Sequence, residues 1–427
     1  MGARRSTPVA DAVAAVLGPD LPIAVETYDG GRIGPADAPA ALTIRSPNAI
    51  RRIVTAPGEL GVGRAYVAGE LDVEGDVYAA LSSMRERLPS ARIGPRALAG
   101  MARIVGTEGL RPLPPPPEEA RLRGRRHSRR RDAQAIAHHY DVSNRFYELV
   151  LGPSMTYSCG VWASPEISLE EAQVAKYELI CRKLGLREGM RLLDVGCGWG
   201  GMAMHAARHH GVRALGVTLS RAQADWAQKA VAEEGLADRV EIRLQDYRDV
   251  RDGPFDAISS IGMFEHVGLR NLGLYFRRAY RLLRLEGRML NHGISRPAVR
   301  RRRSGARPPV TRARLRRNSF VDRYVFPDGE LHEVGAVVST MQAAGFEIRH
   351  VESLREHYAL TLRAWVRNLE DHWDEAVAEA GAPRARIWRL YMAASALNFE
   401  SGRTQVHQIL AVRSPGGRSG MPLRPDW

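Results

Sequence analysis

From Met190 onward the chain alternates two hydrophobic rhythms. Short apolar runs, "MRLLDVGCG", "VRALGVTLS", "VEIRLQDY" and "FDAISSIGMF", are interleaved with stretches whose apolar residues return every three or four positions, "GGMAMHAARHHG" and "RAQADWAQKAVAEEG". The first kind predicts buried strands and the second amphipathic helices. Ser220 can cap the second helix, and Gly211 and Gly235 can end the two in the left-handed conformation that side chains avoid. Strand and helix in regular alternation imply an α/β domain: a doubly wound, mainly parallel sheet with helices on both faces. Later, "GELHEVGAVVSTMQAAGF" and "ARIWRLYMAASALNF" also read as amphipathic helices.

Residues 1–112 mix helix and strand patterns and suggest a smaller N-terminal α+β domain. The stretch "RPLPPPPEEARLRGRRHSRRRDAQ" follows. Its prolines cannot continue a helix and its arginines repel one another, so 113–132 is expected to be a solvated linker. The second domain then spans 133–412, interrupted by a basic loop at 296–318, "RPAVRRRRSGARPPVTRARLRRN". Residues 413–427 are expected to form a flexible tail.

Composition sharpens the choice of partner. The 427 residues are 44% hydrophobic and 26% charged, which suits globular domains. The formal charge is +14, almost all of it arginine, with lysine only at Lys176, Lys183 and Lys229. Such an excess predicts affinity for an anionic partner: phospholipid surface, nucleic acid or acidic ligand. Three cysteines, Cys159, Cys181 and Cys197, make no disulfide framework and point to a reducing cytoplasm. No run approaches the roughly 18–20 apolar residues that span a bilayer, and the first residues lack a secretory apolar core. A cytoplasmic protein, soluble or peripheral to the inner face of the membrane, is expected.

"LLDVGCGWGG" follows one strand and opens one helix. Gly196, Gly198 and Gly201 satisfy G-x-G-x-x-G, in which glycines let the backbone approach a ligand. That pattern alone also fits a nicotinamide or flavin site, or a turn with no ligand. A dinucleotide site calls for an acid about 20 residues on. Here the second strand ends in Thr218, Leu219, Ser220 and Gln223, while Asp194 precedes the glycines and Gln245 and Asp246 follow the third strand. The set resembles the S-adenosylmethionine (SAM) site of class I methyltransferases, which have a Rossmann-like fold.

A longer series of motifs narrows this. "HHYDVSNRFYELVLGPSMTYSCGVW", "TLSRAQ", "SIGMFEHVG", "LNHGIS", "HYALTLRAW" and "NFESGRTQVHQIL" occur in order from His138 to Leu410. Together they resemble the cyclopropane-fatty-acyl-phospholipid synthase family, which includes mycolic acid methyltransferases. The likeness continues more weakly into "APGELGVGRAYVAGELDVEGD". "YDGGRIGPADAPAALTIRSP" resembles the extra lipid-binding domain of the phospholipid-acting members.

The resemblance implies alkylation of a carbon–carbon double bond in a lipid chain. An isolated alkene is a weak nucleophile, so the sulfonium methyl must be held in line with it. Attack leaves a carbocation, which needs water excluded and negative or π density close by. Loss of a proton then closes a cyclopropane or, after a hydride shift, leaves a methylene branch. The resemblance places a bicarbonate ion as base, held by Cys159, Glu265, His292, the Ile294 backbone and Tyr358, with Tyr140 bordering the acyl pocket. It places Tyr157 and Ser158 over the methionine part of SAM and Ile261 in the same cleft. His266, next to Glu265, is expected to be structural, since a strand alternates faces. No metal is implied. Many members carry a cysteine in the late helix where this chain has Ser395, which suits a base other than a thiolate. "LNFESGR" and "SPNAIRRIVTAPGEL" lean toward the actinobacterial subgroup that makes 10-methylene fatty acids, precursors of 10-methylstearic (tuberculostearic) acid, from oleoyl phospholipid.

The partners implied are an unsaturated phospholipid in the membrane, an anionic bilayer surface reached through the arginine-rich segments, a separate reductase and a second copy of the chain in a dimer. A nucleic-acid or small-molecule SAM methyltransferase is the competing class. No base-stacking or base-flipping motif supports nucleic acid as substrate.

Overall fold

The computed structural model describes residues 6–18, 20–87, 95–106, 108–120, 124–140, 142–298 and 319–427. Most of the expected basic loop at 296–318 therefore lies outside the described residues. The chain forms two compact units, and both are discontinuous in sequence. One comprises Met1–Arg121, Ala306–Pro327 and Trp373–Leu397, the other Leu122–Gly305, Asp328–His372 and Asn398–Trp427.

The first unit is α+β. Its strands are β1 (Ala24–Thr27), β2 (Arg32–Ile33), β3 (Ala40–Ile44) and β4 (Leu71–Gly75), in the order β2-β1-β3-β4. Only β1 and β3 run parallel. Alternate residues of β3, Ala40, Leu42 and Ile44, are buried, the period-2 pattern of a sheet with one wet face. Arg64 grips the buried Glu119 with two hydrogen bonds of 2.8 Å, and the Tyr324 hydroxyl donates to the same carboxylate.

The second unit holds β5 (Arg191–Val195), β6 (Arg213–Thr218), β7 (Val240–Leu244), β8 (Phe255–Ile261), β9 (Leu283–Ser295), β10 (Glu347–Ser353) and β11 (Gln405–Val412). They form one sheet in the order β10-β11-β9-β8-β5-β6-β7. The five strands from β9 to β7 are parallel, and β11 runs antiparallel between β9 and β10. Neighbouring residues of one strand feed opposite cores. Leu192, Ala214, Ala257, Leu290 and Leu410 pack under the Leu169–Leu184, Gly201–His210 and Arg221–Glu233 helices. Leu193, Leu215, Ile258, Met289 and Ile409 pack under the Leu269–Leu282 and Val334–Ala343 helices. Both faces are covered, as parallel strands require. Strand order reverses between β5 and β8, so a crevice forms at their carboxyl ends, where ligands of such sheets bind.

Three local expectations need revision. The strand through "FDAISSIGMF" stops at Ile261; Gly262 turns the chain with φ of 64°, and Phe264–His266 is a single 3-10 turn. The arginine run at 124–131 is not uniformly solvated. Arg126 and Arg131 converge on Asp328 and Arg129 pairs with Asp249, so distant carboxylates offset the self-repulsion. At the tail, Trp427 meets the His350 ring with centroids 5.6 Å apart, and Arg288 donates to the Gly420 carbonyl at 2.9 Å.

Candidate active site

The glycine loop follows from its neighbours. Gly196 takes a φ of 75°, and a Cβ there would lie 2.8 Å from Met263. A Cβ on Gly201, the first residue of its helix, would lie 2.3 Å from the Tyr177 hydroxyl. The loop therefore runs close beneath the β8 turn and the Leu169–Leu184 helix, and only glycine allows both approaches.

Above the loop lies a cleft of about 130 Å³. Ten of the twelve residues expected to contact the cofactor line it: Tyr157, Ser158, Asp194, Gly196, Gly198, Thr218, Leu219, Gln223, Gln245 and Ile261. The other two do not. Ser220 caps its helix, accepting from Gln223 N at 3.3 Å. Asp246 accepts from the Arg248 guanidinium through both oxygens, and Gln245 and Tyr247 on either side of it line the cleft.

Asp194 is buried at the cleft floor, where Ser259 Oγ donates to it at 2.7 Å. Burial pushes its carboxyl up to about 6, against the pull of Ser259 and Lys176. Lys176 is a residue the sequence reading missed. It lines the cleft fully buried, donates to Ser158 Oγ at 2.9 Å, and is pushed down to about 7 by burial. Tyr157 stacks on Trp365 with centroids 5.2 Å apart.

His266 also lines the cleft, where strand alternation predicts it to face away. The alternation argument fails because the segment is a 3-10 turn rather than a strand. Burial, and then His127, lower its basicity to a value of about 4.

Four further expected residues lie outside the cleft lining, three of them (Cys159, Glu265 and His292) one step from it along the chain or across the sheet, and all four are buried. Cys159 is 1% exposed, Glu265 6%, His292 2% and Tyr358 6%. Glu265 follows the β8 turn. Its Oε1 accepts from Ile294 N at 2.6 Å, while Oε2 is buried with no hydrogen-bond partner among the described residues. The Ile294 N–H thus holds Glu265 and does not face an open site. Burial pushes the Glu265 carboxyl up to about 7, and the Ile294 N–H pulls the other way.

His292 is the register partner of Ile261 on β8 and of Gln408 on β11. Its Nδ1 is 3.2 Å from Gln408 Nε2, and its Nε2 is buried with no partner among the described residues. Burial first, then Lys176 and Lys183, hold its basicity down at about 3, so the ring is neutral. Burial pushes the Cys159 thiol up, and Sγ lies 3.6 Å from the Leu354 carbonyl. It is a neutral thiol, not a nucleophile. The Tyr358 ring packs against Phe399 at 4.6 Å and edge-on to Trp365 at 6.0 Å. Tyr140 is the last residue of the Arg129–Tyr140 helix, and its side chain lies outside the described residues.

Elsewhere, Cys181, His205 and His210 bring metal-ligand atoms within 4.8 Å of one another, with Glu178 against His210 Nε2 at 3.0 Å. None of these residues lines the cleft.

Residues 127–409 match the family model for mycolic acid cyclopropane synthetase. The chain is 49% identical over 417 residues to a probable fatty acid methyltransferase of Mycobacterium tuberculosis, covering 95% of each chain. It is 40% identical over 395 residues to a probable fatty acid methyltransferase of Pseudomonas putida, covering 92% of each. A mycolic acid cyclopropane synthase solved with SAH and CTAB superposes with a TM-score of 0.61 at 35% identity, over 66% of this chain and 98% of that one. With a class I methyltransferase sheet and a SAM-type glycine loop, this chain belongs to the mycolic acid cyclopropane synthetase family of SAM-dependent lipid-modifying enzymes.

Proposed function

We propose that this enzyme transfers the methyl group of SAM to the double bond of an oleoyl-type phospholipid chain through a carbocation, giving a 10-methylene branch, with bicarbonate as the base. The observation that carries the reading is the pair of buried, unpartnered atoms Glu265 Oε2 and His292 Nε2, which lie one residue or one strand from the cofactor cleft. An orphaned buried acceptor and an orphaned buried imidazole nitrogen are costly unless something small and polar completes them. A small oxyacid with one O–H and free acceptor oxygens fits that donor set.

Bicarbonate, bound there, supplies a base strong enough to remove a proton from a carbocation. The protein's own groups do the rest. Glu265 Oε2 accepts the anion's O–H, held in direction by Ile294 N–H on Oε1. On this proposal a neutral His292 donates to the anion through Nε2, and the Cys159 thiol and Tyr358 complete its surroundings. The Tyr157, Trp365 and Tyr358 rings offer π density to a nearby cation, and burial of the whole cluster keeps out the water that would otherwise capture it. Tyr140 borders the acyl pocket on this proposal, and the Ile294 N–H, which reaches Glu265 at 2.6 Å, orients Glu265.

The substrate lies in a bilayer, so the proposal includes docking to an anionic surface, where each arginine near the headgroups contributes about 1 kcal/mol. No described helix is long and apolar enough to cross a membrane. A methylene product also calls for a separate reductase to give the saturated branch, and a dimer is the proposed assembly.

The test is incubation of purified enzyme and SAM with dioleoyl phosphatidylglycerol vesicles, in buffer with and without bicarbonate, followed by proton NMR of the fatty acids. Exocyclic methylene signals that depend on bicarbonate are expected. Cyclopropane signals would overturn the methylene assignment, and unaltered oleate would overturn the reaction.

A further inference from the structure

We infer that Gln408 and Lys183 are positioning residues that fix the tautomer of His292, leaving Nδ1 bare and placing the proton on Nε2. The inference rests on the preceding reading only for what that proton faces; the tautomer itself follows from the hydrogen bonds.

Glu352 on β10, Gln408 on β11 and His292 on β9 are successive register partners, so they lie side by side across three adjacent strands. Such cross-strand neighbours are close enough for their side chains to touch. Lys183 comes down on this row from the Leu169–Leu184 helix, and its side chain is completely buried. It pairs with the Glu352 carboxylate and lies 2.7 Å from Gln408 Oε1.

An ammonium group can only donate. Gln408 must therefore turn its oxygen toward Lys183, which points its NH2 at His292 Nδ1, 3.2 Å away. The amide also can only donate there, so Nδ1 must accept and carries no proton. In a neutral ring the proton then sits on Nε2, the atom left without a partner among the described residues. Reversing the amide would set NH2 against an ammonium and leave a buried charge short of an acceptor. The ion pair thus fixes the amide, and the amide fixes the imidazole. Neither Lys183 nor Gln408 lines the cofactor cleft, so both act through His292.

The test uses full-length enzyme with 15N-labelled histidine. His292 is assigned among the thirteen histidines by comparison with His292→Asn. Nitrogen shifts should show a protonated Nε2 and a bare Nδ1. Gln408→Glu, of the same shape, offers Nδ1 an acceptor, and Nδ1 should become protonated. Gln408→Met fills the space but cannot donate. Its turnover should fall about ten-fold, roughly what one buried hydrogen bond is worth, with SAM affinity unchanged. A wild-type Nδ1 proton, a bare Nδ1 in Gln408→Glu, or full turnover in Gln408→Met would each overturn the inference. The wild-type spectrum decides it even if a variant fails to fold. Failure of the anion reading looks different: turnover indifferent to bicarbonate, with Nε2 still protonated, removes the base and leaves the tautomer assignment supported.

Discussion

Glu265→Gln should make the protein more stable and less active, and the gain should grow with pH. The carboxyl stands at about 7 in the fold, against an ordinary value of 4.5, chiefly because it is buried. A raised carboxyl means the unfolded chain gives up its proton first. Stability from this group is therefore complete below pH 4.5, is lost as pH rises from there, and levels off above 7. At about 1.4 kcal/mol for each tenfold change in proton affinity, the total cost is about 3 kcal/mol, of which roughly 2–3 falls between pH 5 and 8. Glutamine is nearly isosteric, and its carbonyl still accepts from Ile294 N–H, but it carries no charge to bury. Urea unfolding of both proteins at pH 5, 6.5 and 8, followed by tryptophan fluorescence and circular dichroism, measures the difference. Two compact units can unfold separately, so the transition to follow is the one that SAM shifts. The expected result is a free-energy difference favouring glutamine that widens with pH, alongside collapsed methyl transfer and intact SAM binding. A difference independent of pH, or one favouring glutamate at pH 8, would refute the claim that burial raises this carboxyl.

Three further outcomes are expected. If Glu265 accepts the O–H of the base, methyl transfer at saturating SAM should rise with pH through about 7 and be lost below it; a flat profile between pH 6 and 8 contradicts this. Asp194→Asn keeps the contact with Ser259 but removes the charge from the cleft floor, so SAM affinity by calorimetry should fall about ten-fold or more, and an unchanged Kd excludes the role. Gly201→Ala places a methyl 2.3 Å from the Tyr177 hydroxyl and should cost about 1–3 kcal/mol in thermal unfolding, part of it recovered by adding Tyr177→Phe.

The cofactor half of the site was legible because its information is local. Glycine spacing, strand and helix periods and the Ser220 cap all act within a few residues of where they are read. The errors have physical causes. Strand alternation turns His266 away from the cleft, but Gly262 ends the strand and a 3-10 turn brings His266 to it. Asp246 sits at the expected strand end, yet Arg248 beside it takes both oxygens. The arginine run looked solvated because Asp328, which receives two of its members, lies some two hundred residues away. The sharpest miss is lysine. Hydrophobic periodicity counts a lysine as outward-facing, yet Lys176 and Lys183 are both fully buried on one helix. A signal was present: in a chain whose cations are nearly all arginine, two of the three lysines stand seven residues apart, on one face of a helix.

The strand latest in the described sequence is not an edge of the sheet. β11 lies between β9 and β10, and it carries the amide that meets His292. A nascent chain still on the ribosome can assemble the glycine loop and capture SAM, but β9 remains an open border and β10 has no neighbour to join. A chain cut short before Gln405 therefore keeps the glycine loop but lacks the amide that meets His292, so one half of the site can form without the strand that completes the other.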